Sequence, residues 1–140
     1  MTPAEVGELV AAARAARKHA YAPYSNFQVG AALLTHDGEM VTAANVENAS
    51  YELSACAERV AVTAAVAAGH RRFAAIAIAV GGPGPARPCG ACRQVLHEFP
   101  PGADLKVICA GEQGDRFEVT TLGALLPSAF GPTHLGVTPA

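Results

Sequence analysis

Phe73-Ala-Ala-Ile-Ala-Ile-Ala-Val80 is the stretch that decides the fold. It carries no polar residue and no alternation. A strand with one wet face alternates polar and apolar side chains, so this run reads as a central strand buried on both faces, with helices on both sides of its sheet. Upstream, Ala55 to Ala68 is Ala-rich, with Val60, Thr63, Ala64 and Ala67 at helical spacing and Gly69 placed to end the helix. Downstream, Gly81 to Pro88 holds three prolines and three glycines and reads as a loop. Cys89 to Phe99 reads as a helix stopped by Pro100-Pro101-Gly102.

Further outward, Leu105 to Ala110 and Arg116 to Thr120 are predicted strands, with Gln113-Gly114-Asp115 as the turn region between them. Thr121 is placed to cap a short helix through Leu126, before Pro127. At the other end, Thr2, Pro3 and Glu5 form a helix start with a capping box, and helical spacing continues to about Tyr21 before Pro23. Phe27 to Leu34 and Met40 to Asn45 flank His36-Asp37-Gly38 and predict a hairpin. Val46 to Tyr51 is a polar connection, and the last ten residues carry no pattern. The predicted fold is α/β, a three-layer α/β/α sandwich on a mixed sheet of about five strands. The absence of repeats or linkers predicts a single domain over residues 1–140.

Composition narrows the chemistry. A net charge of −2 gives no electrostatic footprint for a phosphate backbone, so a small, weakly charged ligand is expected and a nucleic-acid partner is not. No basic patch followed by an apolar run opens the chain, and its longest apolar run is too short to cross a bilayer. The expectation is a soluble cytoplasmic protein without a membrane partner. Four cysteines in that compartment point to metal or catalysis rather than disulfides.

Three of those cysteines sit at predicted helix starts, in Cys56-Ala57-Glu58 and Pro88-Cys89-Gly90-Ala91-Cys92. Unpaired N–H groups and the helix dipole favour a thiolate there. Cys89 and Cys92 share one face of a first turn, and Cys56 must arrive from the other helix. Three thiolates around one Zn²⁺ leave a fourth position for water, the layout of a catalytic rather than a structural zinc site. Glu58 is then a general base and acid beside that water, although alone it would read as a surface glutamate at a helix start. Arg59, on the Cys56 face, is placed to offset the thiolate charge by donating to sulfur, against the alternative of a solvated arginine. The C-x-x-C also fits a redox pair, which has no use for Cys56. Cys109, within an apolar strand, reads as a core thiol, and the five histidines form no ligand spacing.

On these motifs the chain resembles the small cytidine deaminases. The resemblance is carried by Cys56-Ala-Glu58-Arg59, Pro88-Cys89-Gly-Ala-Cys92-Arg-Gln-Val95, Tyr21-Ala-Pro-Tyr24-Ser-Asn-Phe27-Gln-Val-Gly30, Asn45-Val-Glu47-Asn-Ala49-Ser-Tyr51 and Leu125-Leu-Pro-Ser-Ala-Phe130. It implies hydrolytic deamination of cytidine and 2′-deoxycytidine to uridine and deoxyuridine in pyrimidine salvage, with one zinc per chain. It assigns Asn45 and Glu47 to the ribose, Phe27 to the pyrimidine, and the backbone at Ala57 to the attacking water and base. On residues alone, Asn45 and Glu47 would be a polar turn and Phe27 core packing. It also implies a homotetramer in which Phe130 stacks on the base in a neighbour's site and Ala49 and Tyr51 reach across. Two other features agree: a domain this small offers a shallow pocket, and the Ala-rich helix permits close approach of a second helix.

Three alternatives differ in what they need. A blasticidin-S-type nucleoside deaminase shares the zinc motifs but not the Asn45 to Tyr51 segment. A polynucleotide-editing deaminase conflicts with the net charge. A non-catalytic zinc-stabilised interaction domain needs no Glu58 and closes the fourth ligand position.

Overall fold

The computed structural model describes residues 1–139, whose strands form one sheet of five in the order β2-β1-β3-β4-β5. The strands are β1 (Val29–Thr35), β2 (Met40–Ala44), β3 (Phe73–Val80), β4 (Lys106–Ala110) and β5 (Phe117–Thr121). Helices α1 (Pro3–Ala16), α2 (Ala57–Ala67), α3 (Gly90–His97) and α4 (Leu122–Leu125) complete the chain with short 3₁₀ turns. β3 is central: it pairs antiparallel with β1 and parallel with β4. β2 and β5 lie at the edges, each antiparallel to its neighbour, so the sheet is mixed as predicted.

The unpatterned run of β3 divides by size between its two faces. Ala75, Ala77 and Ala79 face α1, packing with Leu9, Val10 and Ala13. Ile76, Ile78 and Val80 face α2 and α3, packing with Ala61, Val62, Ala65 and Leu96. Small side chains on one face let α1 approach closely. Gly30 on β1 completes that fit, because a Cβ there would stand 2.0 Å from the Ala13 carbonyl oxygen. The hairpin turn between β1 and β2 uses Gly38 at φ 94°, a conformation that glycine adopts without steric cost.

The first helix starts as expected. Thr2 Oγ1 accepts from the Glu5 N–H at 3.2 Å, and Glu5 Oε2 accepts from the Thr2 N–H at 3.1 Å. It ends earlier than predicted, at Ala16, and Arg17–His19 form a single 3₁₀ turn. There the Arg17 side chain leaves the helix pattern, donating to the Gln28 carbonyl at 3.0 Å and reaching Glu112 at 3.4 Å. The first strand starts at Val29 rather than Phe27, which leaves Phe27 in the approach loop. The unpatterned C-terminal segment contains a 3₁₀ turn at Pro132–Leu135. Among the described residues no helix is long and apolar enough to cross a membrane.

Candidate active site

Helices α2 and α3 begin side by side, and their first residues hold the three cysteines. Cys56 is the N-cap of α2 and Cys89 the N-cap of α3, both with extended backbone and neither making a side-chain capping bond. The first-turn N–H groups therefore stay free to favour negative charge on sulfur. Cys92, three residues on, is fully buried. All three Sγ atoms lie within 4.8 Å of one another, with Cys56–Cys89 at 3.9 Å and Cys89–Cys92 at 3.4 Å.

Four-coordinate zinc with Zn–S bonds of about 2.3 Å sets neighbouring sulfurs about 3.8 Å apart, so the cluster suits that ion. Among the described residues no His, Asp or Glu joins this group. Cys109 is not part of this group: it is buried within β4, and burial pushes its thiol up to about 11. Within the cluster, hydrogen bonding from Cys92 and then from Arg59 holds the Cys56 thiol down at about 5. Its donation to Cys56 and its burial push the Cys92 thiol up.

Arg59 leaves α2 on the expected face. Its Nη2 donates to Cys56 Sγ at 3.4 Å and to the Ser54 carbonyl at 3.4 Å, while its buried Nε has no hydrogen-bond partner among the described residues. A guanidinium here offsets the excess charge that three thiolates place on one divalent ion. Glu58 sits one residue before it and is 4% exposed. Burial, then the negative charge of Cys56, raises its carboxyl above the ordinary range. A carboxyl raised in this way is better suited to accept a proton and give it back.

A cleft of about 400 Å³ opens over this cluster. Its lining brings together Phe27, Asn45, Glu47, Tyr51, Ala57 and Glu58, all expected from the sequence. Two of them have structural duties the sequence did not disclose. Asn45 Oδ1 accepts from the Val29 N–H at 2.9 Å, and its Nδ2 donates to the Phe27 carbonyl at 2.8 Å. Glu47 Oε1 accepts from the Tyr24 and Ser25 N–H groups at 3.0 and 3.1 Å, and Oε2 accepts from the Ser25 hydroxyl. The Ser25 hydroxyl is the main reason the Glu47 carboxyl lies below its usual range. Each side chain thus ties the loop bearing Phe27 to the segment after β2. Phe27 itself is half-exposed, a ring presented to the cleft rather than packed in the core.

Ala49 and Phe130 do not line this chain's cleft. Phe130 is exposed and stacks on His134 with ring centroids 5.1 Å apart, and Gln94 Nε2 donates to its carbonyl at 2.8 Å. Ser25, Ser54 and Arg87 line the cleft without having been expected there. Ser25 lies two residues before Phe27, a local signal that was legible. Arg87 lies two residues before Cys89 in a loop whose pattern gave no sign of its partner.

Comparison with known proteins follows the same residues. The family description "Cytidine and deoxycytidylate deaminase zinc-binding region" matches residues 4–109, which include all three cysteines and end before Phe130. A cytidine deaminase of Halalkalibacterium halodurans is 52% identical over 122 residues, 87% of this chain and 91% of the relative. One from Sporosarcina psychrophila is 46% identical over 131 residues, 94% of this chain and 95% of its own. The crystal structure of cytidine deaminase from Burkholderia pseudomallei superposes with a TM-score of 0.84 at 55% identity, covering 89% of this chain and 98% of that one.

Proposed function

We propose a function from one premise: this chain belongs to the cytidine and deoxycytidylate deaminase family, whose zinc-binding region it carries. It is a zinc-dependent cytidine deaminase, converting cytidine and 2′-deoxycytidine with water to uridine and 2′-deoxyuridine and ammonia. The observation that carries this reading is the meeting of three thiols and a buried carboxyl beside one cleft, which Cys56, Cys89 and Glu58 line. The blasticidin-S and interaction-domain readings lose ground to the cytidine deaminases among the relatives and to that buried carboxyl.

Cys56, Cys89 and Cys92 hold the zinc, one ion per chain. When bound, the ion supplies a Lewis acid that brings the pKa of a water toward neutrality. Glu58 takes the proton of the attacking water and delivers it to the ring nitrogen beside carbon 4. The hydroxide adds to carbon 4; as the carbon–nitrogen bond then breaks, Glu58 takes the remaining hydroxyl proton and gives it to the departing amino group, leaving the carbon 4 carbonyl and ammonia. The Ala57 backbone, at the first position of α2, faces the attacking water and the base. Asn45 and Glu47, at the cleft wall, present hydrogen-bonding capacity to the ribose hydroxyls, and Phe27 packs on the pyrimidine. Arg59 moderates the thiolate charge.

The assembly proposed is a homotetramer in which each site is completed by a neighbour. Support comes from residues that have no use in their own cleft: Phe130 is exposed and held in place by Gln94, and Ala49 is exposed on the segment after β2. Tyr51 lines its own cleft yet remains largely exposed, so it can serve both. The enzyme serves pyrimidine salvage in the cytoplasm. The test is turnover of cytidine, deoxycytidine, cytosine and blasticidin S by one preparation, with zinc content and light-scattering mass measured on it. Deamination of both nucleosides, one zinc per chain and a mass near four chains are expected. Blasticidin S turned over in preference to cytidine would overturn the substrate assignment, and a fully active monomer would overturn the assembly.

A further inference from the structure

One wall of the cleft comes from the irregular loop from Gly81 to Pro88, which links the end of β3 to Cys89. Ala86 and Arg87 of this loop line the cleft. A loop with three glycines and three prolines makes no ladder of its own, so ties to other parts of the chain must hold it. At its start, the Gly82 carbonyl accepts from the Glu112 N–H at 3.0 Å. At its end, the Pro88 carbonyl accepts from Arg93 Nε at 2.7 Å.

Between these anchors stands one pair. Arg87 Nε donates to Glu118 Oε1 at 2.7 Å and its Nη2 donates to Glu118 Oε2 at 2.8 Å. This is a bidentate fork, the arrangement of guanidinium and carboxylate that fixes direction as well as distance. Glu118 belongs to edge strand β5, opposite Cys109 of β4, and does not itself line the cleft. Among the described residues its hydrogen-bonded link to the cleft lining is Arg87. The carboxylate also occupies two donors of a guanidinium that would otherwise face the cleft.

We propose that Glu118 is a positioning residue for the deamination, setting through Arg87 the loop wall at Ala86 and the approach of Cys89. The inference rests on the functional reading above. Arg87 is about half exposed, and because the pair ties a cleft wall it carries two consequences beyond its own stability. Loosening the wall lowers turnover, because misplacement by about 1 Å can cost up to about 10²-fold. It also quickens loss of the ion, because the loop leads directly into a ligand.

The experiment uses the zinc-loaded full chain and four variants: Glu118→Gln, Arg87→Gln, the double change, and the exchanged pair Arg87→Glu with Glu118→Arg. Measured are kcat and KM for cytidine per zinc-loaded chain, the rate of zinc transfer to a chromogenic chelator, and the melting temperature. Each single change should lower kcat/KM by about tenfold and speed zinc loss several-fold. The double change should be no worse than either single one, and the exchanged pair should recover most of both. Wild-type kcat/KM and wild-type zinc loss in Glu118→Gln, or single losses that multiply in the double variant, would overturn the proposal. A lower melting temperature with both other readouts unchanged would also overturn it, since that is a purely structural role. If the parent chain fails to deaminate cytidine, the functional reading falls, and zinc release alone decides whether Glu118 positions the ligand loop.

Discussion

Asn45→Ala separates the two tasks that meet on one buried amide. The side chain is 8% exposed and closes two hydrogen bonds to the strand approach, at Val29 N–H and at the Phe27 carbonyl. Removing it orphans one donor and one acceptor. A buried polar group left unpaired costs about 1–3 kcal/mol, and water entering from the adjoining cleft recovers part of that, so the net loss should be about 2–4 kcal/mol. For a chain of this length that is a fall of roughly 6–15 °C in melting temperature, compared at fixed zinc and chain concentration. One amide hydrogen and one lone pair of Asn45 are not used by these bonds. If they serve a ribose hydroxyl, a second loss appears on substrate.

The assay is deamination of cytidine and of 3′-deoxycytidine by the parent and by Asn45→Ala. A misplaced Phe27 harms both substrates alike. A lost hydroxyl contact harms cytidine alone, by about 0.5–1.5 kcal/mol, which is roughly 2- to 13-fold in kcat/KM. The expected result is a lower melting temperature together with a collapsed preference for cytidine. An unchanged preference refutes the ribose contact, and a melting shift below about 2 °C refutes the clamp.

Other changes address the remaining assignments. Cys109→Ser should keep one zinc per chain and lower stability by about 1–3 kcal/mol for a buried hydroxyl; loss of zinc, with zinc retained in Cys56→Ser, would reverse the ligand assignment. Glu58→Gln should keep its zinc and lose at least about 10²–10⁴-fold in turnover of cytidine, since one carboxyl serves several proton transfers; near-normal turnover refutes the mechanism. Phe130→Ala should weaken cytidine binding by about 1–3 kcal/mol with the scattering mass unchanged, and normal affinity would remove the ring from the site.

What was legible in the sequence was what sequence-local physics controls. Phe73 to Val80 is β3 residue for residue, because a run with no polar interruption and no breaker has only one use in a sheet protein. The clustering of Cys56, Cys89 and Cys92 at two helix starts, and Cys109 within a strand, were readable from motif and pattern together. Illegible were side chains whose partners lie far along the chain. Nothing near Asn45 or Glu47 says that they clamp Phe27, Val29, Tyr24 and Ser25. Nothing near Arg87 announces Glu118, 31 residues on. The early end of α1 has the same origin: Arg17 fits helical spacing, and its contacts with Gln28 and Glu112 are tertiary.

That two short cysteine motifs meet at all follows from strand direction. β2 is antiparallel to β1, and β1 is antiparallel to β3, so β2 runs parallel to β3, as β4 does. Parallel strands must each be left at one end of the sheet and re-entered at the other. The chain leaves β2 into α2 and leaves β3 into α3, so both helices begin at the same end. Both crossovers also step the same way along the order β2-β1-β3-β4, and the right-handed rule then sets both helices on one face. They share the core cluster that α1 does not join. Two N-termini side by side are two partial positive charges, and only anionic side chains gain by sitting there. Cys56 and Cys89 occupy the two N-cap positions and Glu58 the second residue of α2. Moving either motif one turn into its helix would keep every residue type and forfeit both the convergence and the dipoles.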